Sequence, residues 1–196
     1  AIALPIVESR GTVALVVENT LPGTVAIEYN QFRKNLTGDG WKVQEILVPR
    51  ALSSPNAAQR LSEIQTIRTS IQAVYNADPS NVRAVILLGR VPVPMSGSIA
   101  PDGHGIRPFP ADVYYGDMTG TWTDTATKTA NGPNNGMFDQ DSPPVPPVLT
   151  VGRIDFGDLP AFPLTETELI KRYLVKNHKF RHGLVTAPVS YTHLTL

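Results

Sequence analysis

NVRAVILLGRVPVP, residues 81–94, is the stretch on which the reading of the fold turns. Its centre, residues 84–88, is an unbroken apolar run rich in β-branched side chains, bounded by Asn81 and Arg83 before it and Gly89 after it. A strand covered on both faces reads this way, because neither face has to meet water. Gly89, Pro92 and Pro94 stop the strand at its carboxyl end, the edge at which open α/β sheets form their ligand crevices. That edge is therefore where function is expected.

Working outward, the preceding chain alternates strand and helix. Residues 12–17 form a second apolar strand after Gly11, closed by Glu18 and Asn19, and Leu21-Pro22-Gly23 turns the chain. Val25, Tyr29, Phe32 and Leu36 recur at helical spacing, and Gly38 and Gly40 end that helix. Residues 41–48 make the next strand, stopped by Pro49. Ser53 or Ser54, before Pro55, suits the cap of a second helix whose stripe is Ile64, Ile67, Ile71 and Val74, and a turn over residues 76–80 leads back to the strand quoted first. The β-α-β-α-β alternation predicts a mainly parallel sheet with helices on both faces, a three-layer α/β/α arrangement.

After Pro94 about fifty residues pass without helical periodicity, too long for an ordinary connection, so a long irregular loop with a specific role is expected. Residues 148–154 then read as a strand. Thr165 and Glu168 form a T-x-x-E capping box opening a helix through Leu169, Ile170, Tyr173, Leu174 and Val175. Lys176, Lys179, Arg181 and His182 suit its carboxyl end, Gly183 closes it, and residues 184–186 look like the start of another strand.

Composition narrows the function classes. The 17 basic residues balance the 17 acidic ones, so no net field recruits nucleic acid or an anionic membrane surface. No run of about 18 apolar residues occurs, which argues against a membrane span. Without cysteine, this segment holds neither a disulfide nor a thiolate nucleophile. Low charge, 18 prolines and 15 glycines lean towards an exported protein. The tract PVSYTHLTL, residues 188–196, resembles the translated read-through of a sequencing adapter and is set aside from the fold; residues 1–10 read as the edge of a fragment.

Several side chains are candidates for chemistry. Asp117, Asp124, Asp139 and Asp141 alternate with Asn131, Asn134, Asn135 and glycines, an oxygen-rich composition that suits Ca²⁺ and equally suits solvated turns. Tyr114, Tyr115 and Trp122 can line a peptide or glycan groove or anchor the long loop onto the sheet. Arg153, beside Asp155 at the end of a buried strand, needs a carboxylate, and Asp112 or Asp117 is expected to supply it. His104, in DGHG, lacks a thiol partner, and neither Ser96 nor Ser98 stands on a nucleophile elbow, so a loop histidine is expected. His178 and His182, four apart on one helix, can share a metal, but Lys176, Lys179 and Arg181 favour a solvated basic helix end.

The order of these signals resembles a known family. A strand ending Leu88-Gly89 followed by prolines, a loop ending PADVYYGD with Asp112, Tyr114 and Tyr115, a strand carrying Gly152-Arg153 and then a TETELIKRYL helix is similar to the first subdomain of the gingipain-like cysteine peptidases, which have a caspase-like fold. The resemblance covers residues 11–183 and implies a non-catalytic α/β subdomain at residues 11–187. In that family the catalytic histidine and cysteine lie in a second subdomain, so no catalytic residue carries over to this chain. The resemblance implies a secreted or surface peptidase whose downstream subdomain is the partner of this one. The other expectation kept open is a glycan- or protein-binding module of a large surface protein.

Overall fold

A computed structural model describes residues 8–100 and 103–184. Four parallel strands form the main sheet: β1, Gly11–Glu18; β2, Trp41–Val48; β3, Val82–Leu88; and β6, Thr150–Ile154, in the order β2-β1-β3-β6. Helices α1, Leu21–Thr24, and α2, Ala26–Gly38, follow β1, α3, Ala57–Ala77, follows β2, and α4, Glu166–Arg181, follows β6. The expected α/β architecture with a mainly parallel sheet between helical layers is what the chain adopts.

Side-chain alternation explains the layers. On β1 and β3, Ala14, Val16, Val85 and Leu87 face Ile64, Ile67 and Ile71 of α3. Leu15, Val17 and Leu88 point the other way, onto Tyr29, Phe32 and Leu36 of α2 and Ile170 and Leu174 of α4. Successive residues of a strand serve opposite cores, which is why these two strands are apolar along their length. β1 lies at the centre, and the chain leaves it for β2 on one side and reaches β3 on the other. The point where the winding direction changes therefore falls between the carboxyl ends of β1 and β3.

Several expectations are corrected. The α3 cap is Asn56, not Ser53 or Ser54. Its Oδ1 accepts from Gln59 N–H while Gln59 Oε1 accepts from Asn56 N–H, because only a side chain one residue before the helix reaches the third helical N–H. Leu21-Pro22-Gly23 belongs to the short helix α1, with Pro22 in its first turn, where a missing N–H costs nothing. The long connection is partly regular: β4, Met95–Ile99, pairs antiparallel with β5, Arg107–Pro110, and Asp112–Tyr115 forms a 3-10 turn. Leu184 is not in a strand, and residues 185–186 and 188–196 lie outside the described residues. The Thr165–Glu168 capping box forms as read. Among the described residues no helix is long and apolar enough to cross a membrane.

Candidate functional site

Three groups of side chains hold the carboxyl edge of the sheet and the long loop that leaves it. The first begins at Gly89, whose φ of +81° lies in the left-handed region. A Cβ there would stand 2.4 Å from Leu21 Cδ1, so only glycine lets β3 turn at this point. Gly89 N–H bonds Ile154 O at 2.8 Å and thereby joins the ends of β3 and β6.

The run 91–94 that follows contains two prolines; Val91 N–H turns back onto Gly89 O, and the carbonyls of the run carry its attachments to the rest of the fold. Arg153 Nη1 donates to Val91 O at 2.6 Å and Nη2 to Pro92 O at 3.3 Å, and the Tyr115 hydroxyl donates to Pro92 O at 2.8 Å. Ala111 N–H reaches Pro94 O at 2.7 Å. The same guanidinium grips Asp112 in bidentate fashion, Nε to Oδ2 at 2.7 Å and Nη2 to Oδ1 at 2.8 Å, with Asp155 Oδ2 at 3.7 Å from Nη1. One planar cation thus ties β6, the 3-10 turn and the segment after β3, a role suited to arginine's fork of donors.

The second group surrounds Glu18, fully buried at the end of β1. Its Oε1 accepts from Thr20 N–H at 2.9 Å and its Oε2 from Arg50 Nη1 at 3.1 Å. Arg50 also bridges to both oxygens of Glu166, at 3.2 and 2.6 Å, in the first turn of α4. Sequence reading missed Glu18 and Arg50 as a pair. The available signal was an acid closing an apolar strand, a position that demands a cation. Between the two groups opens a cleft of about 340 Å³, lined by Leu52, Pro55, Glu63, Arg90, Val91 and Asp155 among others. Arg90 packs over Gly157 and pairs with Asp158.

The third group is the acidic loop. Asp117, fully buried, pairs with Arg68 of α3 (Nη2–Oδ1 3.5 Å) rather than with Arg153. Its oxygens accept from Gly120 N–H at 2.6 Å, Thr119 N–H at 3.1 Å and Trp122 Nε1 at 2.8 Å. Asp124 accepts from the N–H groups of Asn135, at 3.3 Å, and Gly136, at 2.7 Å. Asn135 Oδ1 caps Met137 N–H, while its amide donates to Asn131 Oδ1, and Asn131 in turn donates to Gly97 O and Phe138 O. Asp139 Oδ2 accepts from Thr123 Oγ1, Thr125 N–H and Ala126 N–H, while its Oδ1 is buried without a hydrogen-bond partner. Asp141 joins Ser98 N–H, at 2.7 Å, to Lys128, at 2.8 Å. Asn134 takes a left-handed φ of 58°. The side chains read for Ca²⁺, Asp117, Asp124, Asn135, Asp139 and Asp141, are thus spread along the loop and engaged largely with N–H and cationic donors. Among the described residues no three His, Cys, Asp or Glu side chains are grouped as a metal-holding set.

Tyr114, Tyr115, Trp122 and Phe138 pack edge to face and tilted, with centroids 4.7–5.5 Å apart. Arg68 lies over the Tyr114 ring at 4.7 Å. Both tyrosines are buried against α3, so this cluster anchors the loop and Tyr114 and Tyr115 present no open groove. Burial pushes both phenols up, Tyr115 well above its ordinary value. His104 stands exposed between β4 and β5, and the hydroxyls of Ser96 and Ser98 donate to backbone carbonyls.

The loop's ionisation gives a signed expectation. Burial alone would raise Asp139, but bonds from Thr125, Thr123 and Ala126 and the charge of Lys128 outweigh it and hold the carboxyl below its usual value. Lys128 first, then Ser98 N–H, lower Asp141 in the same way. A depressed folded value means that the stabilisation is complete above the unfolded value of about 3.9 and is lost as pH falls through the folded one. Urea unfolding should therefore show a free energy flat above about pH 5 and falling below pH 4. Asp139→Asn combined with Asp141→Asn should flatten the decline, and an unchanged slope would remove these two carboxylates as its cause.

Comparison with models of protein families, with curated proteins and with solved structures finds no match to this chain.

Proposed function

We propose that this chain is the supporting, non-catalytic α/β subdomain of a secreted or surface gingipain-like cysteine peptidase, packing against a downstream subdomain that holds the histidine–cysteine pair. The observation that carries the reading is a convergence. Gly89, Asp112, Tyr115 and Arg153, four of the residues that carry the resemblance and spread over 65 positions, meet at one clamp at the carboxyl end of β3. A pattern whose members hold a loop in place, with their polar atoms turned on one another, fits a scaffold better than a reaction centre. The absence of cysteine from these 196 residues leaves any thiolate to another part of the protein.

The test is recovery and expression of the complete coding sequence. The expected product cleaves peptides in a reaction blocked by thiol alkylation, through a cysteine and a histidine-glycine at the ends of successive apolar strands after residue 187, while residues 1–187 alone cleave nothing. A complete protein lacking that pair, or one whose hydrolysis survives replacement of the cysteine, ends the peptidase reading. The glycan- or protein-binding reading then takes its place, with the 340 Å³ cleft as the surface to examine.

A further inference from the structure

Helices α2 and α4 lie side by side, and three contacts fix their relative direction. Lys171 meets Glu28, His178 meets Asn35, and Arg181 meets Asp39, so residue numbers rise together along both helices and their carboxyl ends converge. Each helix carries a partial negative charge at that end, roughly half an elementary charge, and the last turns together form a place that favours a cation.

At that place two imidazoles share one oxygen. Asn35 Oδ1 lies 3.1 Å from His178 Nδ1 and 3.3 Å from His182 Nε2, and the two rings are 4.4 Å apart between centroids. His178 is half-buried and His182 exposed at the helix end, yet both lie on the side of α4 turned towards Asn35 of α2. Ile170, Leu174, His178 and His182 recur every four residues, so both rings continue the stripe that packs Ile170 and Leu174 into the core. Lys176 and Lys179 share a surface with Arg172 and Val175, and Arg181 is paired with Asp39. The electrostatic objection to a bound cation is thereby weakened.

As a purely hydrogen-bonded cluster the arrangement is poorly satisfied. One amide oxygen faces both histidines and Gln31 Nε2 at 3.1 Å, while Asn35 Nδ2, on a residue 5% exposed, has no partner. As a ligand set it is well spaced. Ligands about 2.0–2.1 Å from a tetrahedral metal stand about 3.3 Å from one another, close to the two nitrogen–oxygen separations found here.

We infer that His178 Nδ1, His182 Nε2 and Asn35 Oδ1 form a site for one borderline divalent metal ion, Zn²⁺ being the natural probe, which clips the carboxyl ends of α2 and α4 together. Two neutral imidazoles and one amide oxygen suit Zn²⁺, Ni²⁺ or Cu²⁺ and not Ca²⁺. The fourth position would go to water, and the effect is structural: an ion bound only when the two helices are docked stabilises that docking.

Calorimetric titration of the full chain with Zn²⁺ at pH 7.5 tests it. One equivalent should bind, the ring resonances of His178 and His182 should shift together, and metal at a hundredfold excess over Kd should raise the melting temperature by about 5–10 °C. His182→Ala, an exposed position at the helix end, should weaken binding at least tenfold with the metal-free melting temperature nearly unchanged, and His178→Ala should do the same to affinity, while His104→Ala should not. No heat and no thermal shift, or Zn²⁺ binding that persists in both the His178 and His182 variants, overturns the inference.

Discussion

Replacing Arg153 with alanine should lower the stability of the chain by about 4 kcal/mol and its melting temperature by roughly 10 °C. The side chain is mostly buried, with 17% of its surface exposed, and it makes four separate attachments: two to Asp112 and one each to Val91 O and Pro92 O. Truncation strands the Asp112 carboxylate, removes the Arg153 donor from Val91 O and leaves Pro92 O with the Tyr115 hydroxyl alone. The cost comes less from the lost attraction than from polar groups left unpaired in a confined space. Arg153→Lys should recover less than half of it, because a single ammonium cannot grip a carboxylate at two points and reach both carbonyls. Asp112→Asn, which keeps an acceptor and loses the charge, should cost less than either, at about 1–2 kcal/mol. Urea denaturation of the three variants orders them. An Arg153→Ala loss below about 1 kcal/mol would mean that the clamp does not hold this edge of the sheet.

Asp117→Ala should cost a similar amount, about 3–4 kcal/mol, for a different reason. Its carboxylate has no exposed surface and collects the Thr119 and Gly120 N–H groups and the Trp122 indole, beside Arg68. Alanine leaves these donors facing an apolar methyl. Asparagine is only a partial remedy, since donors approach both carboxylate oxygens and whichever oxygen becomes NH₂ meets another N–H. Asp117→Asn should therefore retain less than half of the lost stability, and the near-ultraviolet signal of Trp122 should weaken in both variants. A double-mutant cycle with Trp122→Phe isolates the indole's share. Coupling near zero would show that the loop is held by its backbone contacts to Asp117 and not by this pair.

The two variants probe opposite ends of the same structural question, how an irregular segment of this length stays folded on a four-stranded sheet. Arg153 fixes its start and Asp117 its passage across α3. If the proposed gingipain-like reading holds, this unit is a platform for another subdomain, and a loosened clamp should also lower the activity of the complete protein. Loss of rate in proportion to the unfolded fraction would support a supporting role alone.

Much of the fold was legible because it rests on short-range rules. The apolar runs at residues 84–88 and 12–17 are strands since each face needs its own core, and T-x-x-E at Thr165 is a helix start since two side chains and two N–H groups close on each other. The α3 cap was misplaced by two or three residues because Ser53, Ser54 and Asn56 all carry suitable oxygens, and only backbone direction after Pro55 selects Asn56. The β4–β5 pair was hidden because MSGSI and RPFP lack an alternating apolar pattern and owe their pairing to the surrounding loop.

By itself the sequence determined the order of the four parallel strands and the three longer helices, the double-sided core and the need of Arg153 for a carboxylate. Local periodicity and the cost of burying an unpaired charge are enough for these. The tertiary structure alone decided which carboxylate that is. Arg68, forty-nine residues before Asp117 and on another layer, occupies Asp117 and leaves Asp112 to Arg153. It alone also brought His178 and His182 onto Asn35, some 143 and 147 residues away. Partners that distant are chosen by how whole layers pack, and no local spacing encodes that choice.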